Sequence, residues 1–154
     1  MSASAGEASI DCLLLPVGAG DWLLPAVCVV EVVRYRPLAR VAAPDACIGL
    51  LGWRDGDVPV IDVARLERDR AQAVAAWPLI AVLNRTAADA PWPFWAVALS
   101  NLPRRRRMSA SSVALAEVQA AGCPGSWVVA DSGRCLIPDL AWLQREQLPP
   151  LTWS

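Results

Sequence analysis

The side chains with chemistry to offer are arginines and carboxylates. Arg54 sits in the run Gly52-Trp53-Arg54-Asp55-Gly56-Asp57, and Arg104 to Arg107 are four consecutive arginines after Leu102-Pro103. A guanidinium is permanently charged, planar and rich in donors, so it recognises carboxylates and phosphates rather than moving protons. Histidine is absent from the 154 residues. With it go the commonest general base, the usual partner of a nucleophilic serine or cysteine, and the commonest metal ligand. All 14 basic residues are arginine, so neither Schiff-base chemistry nor a phosphate-loop lysine is available. Acid–base catalysis would need a close carboxylate pair in a cleft, and none is legible. The sequence therefore reads as a non-enzyme with no catalytic residue, no cofactor and no metal.

The remaining polar residues have structural roles to fill. Asp55 and Asp57 fall short of the ligand count of a calcium loop and read as a solvated turn. Asp62 ends a β-run, where its expected task is to accept from backbone donors of the following turn. Cys12, Cys28, Cys47, Cys123 and Cys135 are odd in number and include no Cys-x-x-Cys pair. Most lie in or beside apolar runs, where a reduced cysteine is a small hydrophobe.

The elements that hold these residues are mostly strands. Short extended segments alternate with turn signals, which is an all-β pattern. Ile10 to Val17 and Trp22 to Pro25 flank the turn Gly18-Ala19-Gly20-Asp21. Ala26 to Val33 is a valine-rich strand containing Glu31, although Val27 and Val30 also fit a short helical turn. Arg34 to Asp45 is a polar connection. Between Ile48 and Val63 two apolar runs meet at the Arg54 turn, with Asp55-Gly56 expected to form the tight reversal. Ala64 to Ala76 is a helical turn or mobile loop. Trp77 to Leu83 and Phe94 to Leu99 are strands joined by a long loop, and Ser126 to Ala130 pairs with Arg134 to Ile137 across Asp131-Ser132-Gly133. After Pro138, Asp139 is placed to cap one terminal helix carrying Leu140, Leu143 and Leu148.

Length suits one domain with a real core. The expected boundaries are a disordered lead-in over 1–9, a domain over 10–148 and a tail over 149–154. Although 55% of residues are hydrophobic, no apolar run reaches the roughly 18 residues needed to cross a bilayer, and the start lacks a secretory pattern. The expectation is a cytoplasmic protein with no direct membrane insertion. Net charge is −1, which gives no global basic field of the kind nucleic-acid binders show.

Residues Ala26 to Leu66 resemble the CheW-like family, the coupling proteins of bacterial chemosensory arrays. That family shows a Val-x-Glu-Val strand, an Ile-x-Gly run, an Asn-Leu-Arg-Gly turn and then Pro-Val-Ile-Asp-Leu. The matching residues are Val29-Val30-Glu31-Val32, Ile48-Gly49-Leu50, Gly52-Trp53-Arg54-Asp55 and Pro59-Val60-Ile61-Asp62-Val63. The flanks are compatible, with Leu136-Ile137-Pro138-Asp139-Leu140 standing where the family has a Leu-Leu-Asp-Leu type sequence.

The resemblance implies a mainly β fold of two small five-stranded SH3-like barrels sharing a core, with a short C-terminal helix. It implies a non-enzymatic adaptor between a CheA-type histidine kinase and a methyl-accepting chemoreceptor, with partner contact through Arg54, Glu31, Trp53 and Asp55. Gly52, Trp53 and Asp55 depart from the family turn while Arg54 keeps its place. That drift points to a divergent branch similar to the ChpC or PilI proteins of type IV pilus (twitching) systems.

Three readings stay open beside it. Arg54 alone also suits hydrogen bonding to carbonyls of its own turn. Arg104 to Arg107 suit a protected edge strand or solvated loop, a secondary contact with an acidic protein surface, or nucleic acid or anionic lipid. The rival function is accordingly a small β-barrel that binds nucleic acid through that run, although no nucleic acid is expected under the adaptor reading. Trp22, Trp77, Trp95, Trp127 and Trp142 are expected in the core, Trp92 and Trp153 as exposed anchors, and Trp53 in either place.

Overall fold

The computed structural model describes residues 7–18, 20–67, 77–131 and 133–151. Trp153 and most of the expected lead-in and of the 64–76 connection lie outside the described residues. The strands are β1 Ser9–Pro16, β2 Asp21–Pro25, β3 Val29–Arg34, β4 Cys47–Trp53, β5 Gly56–Ile61, β6 Leu79–Asn84, β7 Phe94–Leu99, β8 Arg104–Ser109, β9 Ala114–Gln119, β10 Gly125–Ala130 and β11 Gly133–Pro138. Helix α1, Leu140–Glu146, closes the fold, with the Asp139 side chain accepting from Trp142 N at 3.0 Å as an N-cap.

Two sheets form. One has six strands in the order β8-β1-β2-β11-β10-β9, the other five in the order β3-β6-β7-β5-β4. The expected mainly β architecture with a terminal helix is what is found, its first unit carrying six strands. Ala26–Cys28 forms a turn of 3-10 helix before β3, so the helical alternative for Val27 applies there and the strand begins at Val29.

Alternation along the strands explains how both sheets are buried on two sides. In β6, Ala81 and Leu83 enter a core shared with the other sheet, while Ile80 and Val82 enter a second cluster inside their own sheet. β7 repeats this, with Trp95, Val97 and Leu99 toward the shared core and Ala96 and Ala98 away from it. A sheet that buries both faces reads as continuous apolar runs, which is how these segments are written. Cys12, Leu14, Leu23, Met108 and Val128 form the inner cluster of the six-stranded sheet.

The five-stranded sheet curls until its outer strands approach. Val30 and Val33 of β3 lie in one cluster with Leu51 and Trp53 of β4, although these strands are at opposite ends of the sheet order. The connection after β3 turns along β4, where Ala39 and Leu50 exchange hydrogen bonds of 2.9 and 2.8 Å. Gly49 makes that approach possible. Its φ is +148°, and a Cβ there would lie 2.7 Å from the Ala39 carbonyl oxygen.

Candidate docking surface

The Arg54 turn is a two-residue reversal, since Trp53 pairs with Gly56 and β4 runs directly into β5. The reversal is therefore centred on Arg54-Asp55, one residue earlier than the Asp-Gly pair suggests. Arg54 has φ +53° and is the sole non-glycine with positive φ among the described residues. Positive φ at only the first central position is the pattern of a type II′ turn, a place that favours glycine. An arginine held there is locally strained by about 1 kcal/mol, and its side chain is 60% exposed.

Glu31 reaches the same spot through a β-bulge. The pairing of β3 with β6 shifts between Val29 and Glu31. Val29 and Val32 face the shared core, whereas Val30 and Val33 face the inner cluster. Strict alternation would put Val29 and Val32 on opposite faces, so one residue is extra. The extra residue leaves Glu31 exposed instead of directed into the core.

Trp53 joins the two. Its indole Nε1 donates to Glu31 Oε1 at 3.2 Å, and its ring lies 4.1 Å beneath the Arg54 guanidinium carbon. Phe94 packs against it edge-on at 5.1 Å between centroids. At 6% exposure Trp53 belongs to the core, so it supports Arg54 from below and does not present a face of its own. Arg54 Nη2 lies 3.9 Å from Glu31 Oε1. A pair this long and this exposed adds at most about 0–1 kcal/mol, and stacking on the indole does more to fix the guanidinium. Among the described residues, no hydrogen bond runs from the Arg54 side chain to the carbonyls of its own turn.

Asp55 and Asp57 are exposed beside the arginine. The residue that sequence reasoning missed is Arg36, whose Nη2 donates to the Gly52 carbonyl at 2.5 Å. It adds a second guanidinium to the β4 edge, and the polar Arg34 to Asp45 connection was its only signal. A Cβ at Gly52 would meet nothing within 4 Å, so the family's asparagine would fit this position without strain.

Arg104 to Arg107 open β8, an edge strand paired on one side with β1. Arg104 is held by Asp21 at 2.8 Å, and Arg107 lies 3.6 Å from Asp11 and donates to Ser9 Oγ at 3.0 Å. Arg105 and Arg106 alternate to opposite faces. The run is thus a charged, partly neutralised edge of the kind that discourages strand-to-strand aggregation, rather than one continuous basic groove.

The other expectations resolve structurally. Asp62 is 3% exposed and its Oδ1 accepts from Ala64 N at 3.1 Å, with Arg65 at 3.6 Å. Burial pushes its carboxyl above the ordinary range despite those contacts. Burial likewise raises the thiols of Cys12, Cys28, Cys47 and Cys135, and pushes that of Cys123 up to about 12, which disfavours the thiolate at each. Trp22, Trp77 and Trp95 are core residues, and Trp127 and Trp142 pack against it. Trp92, expected as an exposed anchor, is half-buried against the shared core, with its indole donating to the Pro149 carbonyl at 2.7 Å. Among the described residues no helix is long and apolar enough to cross a membrane.

The sequence matches the family model described as CheW-like domain over residues 11–146. No curated protein matches the chain significantly in sequence. Among solved structures, that of the scaffolding protein TtCheW from Thermoanaerobacter tengcongensis is similar, with a TM-score of 0.68 and 13% identity over 88% of this chain and 92% of that one. At that identity the likeness concerns the fold.

Proposed function

The chain belongs to the CheW-like family, and from that premise we propose that it is a non-enzymatic adaptor coupling a chemoreceptor to a CheA-type histidine kinase in a bacterial chemosensory pathway. The observation that carries this reading is the Arg54 guanidinium, held on a strained turn, stacked on a buried indole and 60% exposed. A strained, non-glycine turn residue that points its charge into solvent contributes nothing evident to the fold. Such positions concentrate at functional sites, and preorganised arginine is a common centre of protein interfaces. Glu31 and Asp55 place carboxylates beside it, and complementary charge of this kind sets register and partner choice more than affinity.

The mechanism is geometric. Two sheets locked through one shared core hold two partners at fixed relative positions, so ligand state at one is transmitted to the other. The departures at Gly52, Trp53 and Asp55 support assignment to a pilus-type (twitching) branch. Deletion is then expected to impair twitching, and a defect in swimming with normal twitching would count against the branch.

The direct test is Arg54→Glu in the full chain. It is expected to abolish binding to the cognate kinase or the cognate receptor while the far-UV spectrum and unfolding midpoint are retained. Wild-type affinity for both partners would show that the assigned surface is wrong.

A further inference from the structure

The outer edge of β4 ends in hydrogen-bond donors. β4 is the last strand of its sheet, and Leu50 turns both its N–H and its C=O outward to Ala39. Two residues on, Gly52 turns its own pair to the same side. Continuing the antiparallel register from Ala39 and Leu50 sets Pro37 opposite Gly52, and proline has no N–H to give. The Arg36 side chain takes that place, donating from Nη2 to the Gly52 carbonyl. The acceptor of this edge is thereby occupied. Among the described residues no hydrogen bond runs from the Gly52 N–H to the connection beside it. Gly52 is exposed, and nothing stands within 4 Å of where its Cβ would be, so the backbone here is open to a group arriving from outside.

Charge points the same way. Arg36, Arg40 and Arg54 are all exposed along this edge. Of the three, only Arg54 has an acid in ion-pair reach among the described residues, and that at 3.9 Å. On β8, by contrast, Arg104 and Arg107 are held by Asp21 and Asp11. Arg36 gives one nitrogen to Gly52 and keeps further N–H groups in the same plane. A backbone N–H beside an unneutralised guanidinium, with no acceptor left, suits a carboxylate. It does not suit an added strand, which would need the Gly52 carbonyl that Arg36 occupies. Nor does it suit a polyphosphate, because Glu31, Asp55 and Asp57 are exposed around the same hairpin and repel a high negative charge. A single carboxylate with a basic neighbour to meet Asp55 or Asp57 matches both signs.

We propose that the Gly52 N–H and the Arg36 guanidinium together bind an aspartate or glutamate side chain of the protein that docks on the Arg54 turn. This rests on the adaptor reading and adds to it the chemistry of the partner, an acid with a base beside it. Arg36 fixes the acid at the strand edge while Arg54 meets the same partner at the turn.

The test is titration of the full chain against the cognate kinase and the cognate receptor separately, with urea unfolding of each variant. Arg36→Gln keeps a side-chain amide N–H and removes the charge. It is expected to weaken the partner that Arg54→Glu loses at least ~10-fold, with an unchanged unfolding midpoint. Gly52→Pro removes the outward N–H, a change an edge strand tolerates, and is expected to weaken the same partner. Gly52→Ala keeps the N–H and is expected to bind as wild type. If Gly52→Pro fails to fold, Arg36→Gln decides alone. Wild-type affinity of Arg36→Gln for both partners overturns the proposal, as does a loss confined to the partner that Arg54→Glu keeps, or equal binding by folded Gly52→Pro and Gly52→Ala. Loss of duplex DNA affinity in Arg36→Gln, with both proteins bound normally, would assign the arginine to nucleic acid instead. If Arg54→Glu loses a partner and Arg36→Gln loses none, the adaptor surface stands without this carboxylate site. If Arg54→Glu binds both normally while Arg36→Gln loses one, the Arg54 surface fails and the carboxylate site stands.

Discussion

The Trp53 indole donates to Glu31 Oε1 across 3.2 Å, and that one bond links β4 to β3, the two outermost strands of a five-stranded sheet. It ties the base of the Arg54 turn to a strand far away in the sheet order. The position of the exposed arginine is therefore set by the curl of the whole sheet and not by the hairpin alone.

Removing that bond without removing the ring should separate support from packing. Trp53→Phe keeps an aromatic floor against Phe94 but leaves the Glu31 carboxylate without its indole donor. The expected loss of stability is about 0.5–1.5 kcal/mol by urea unfolding, accompanied by weaker partner binding. Unchanged binding at that cost would show that Arg54 does not depend on the indole for its placement.

Arg54→Gly should dissociate stability from function. Glycine suits φ +53° and removes strain of about 1 kcal/mol, while the stack on Trp53 is lost. Stability is expected to stay within about 1 kcal/mol of wild type as binding disappears. A large destabilisation with binding intact would assign Arg54 to the fold instead.

Asp62 gives the fold a pH signature. Its folded-state pKa is raised by burial, so ionisation costs more in the folded than in the unfolded protein. The penalty is absent below the unfolded pKa, grows as pH rises, and is complete above the raised folded value. Asp62→Asn keeps an acceptor for Ala64 N and should match or exceed wild-type stability at pH 7, the difference shrinking toward pH 3. Asp62→Ala should cost about 1 kcal/mol even in acid, and denaturation midpoints across pH would reveal either departure.

The Arg104 to Arg107 strand is expected to show no steep, salt-dependent affinity for duplex or single-stranded DNA. Replacing all four by Ser should leave polyanion binding unchanged and increase aggregation, because an edge loses its charge. Salt-sensitive DNA binding that vanishes in the Ser variant would instead favour nucleic-acid recognition.

The hairpin carrying Arg54 was legible because turn chemistry and apolar runs bracket it. Its centre was read one residue late, since Asp-Gly is the stronger local signal and nothing local announces an arginine at positive φ. The exposure of Glu31 depends on a bulge, which a valine-rich run with continuous burial conceals. β9 escaped the reading altogether. Ala114-Leu115-Ala116-Glu117-Val118-Gln119 consists largely of helix formers, and pairing with β10 overrides that preference. The stack of Arg134 on Trp127 and its ion pair with Glu117 were hidden with it, because the three residues come from three strands and meet only through the sheet. Sequence spacing reports local reversals well and such lateral juxtapositions poorly.

The shared core also determines how the molecule can be taken apart. Leu15, Trp22 and Leu24 from one sheet and Leu83, Trp95 and Val97 from the other seal the same interior, so each half supplies a wall that the other lacks. Cutting the chain between β5 and β6 would break both sheets at once, parting β1 and β2 from β8 and β11 and β3 and β5 from β6 and β7, so the two fragments should stay unfolded alone and regain structure only when mixed. Replacing β3 to β7 by the corresponding strands of a relative would meet the same obstacle, because their side chains must fit a wall built by the other sheet. Recognition can therefore diverge residue by residue on the outside, whereas the frame beneath it must be inherited whole.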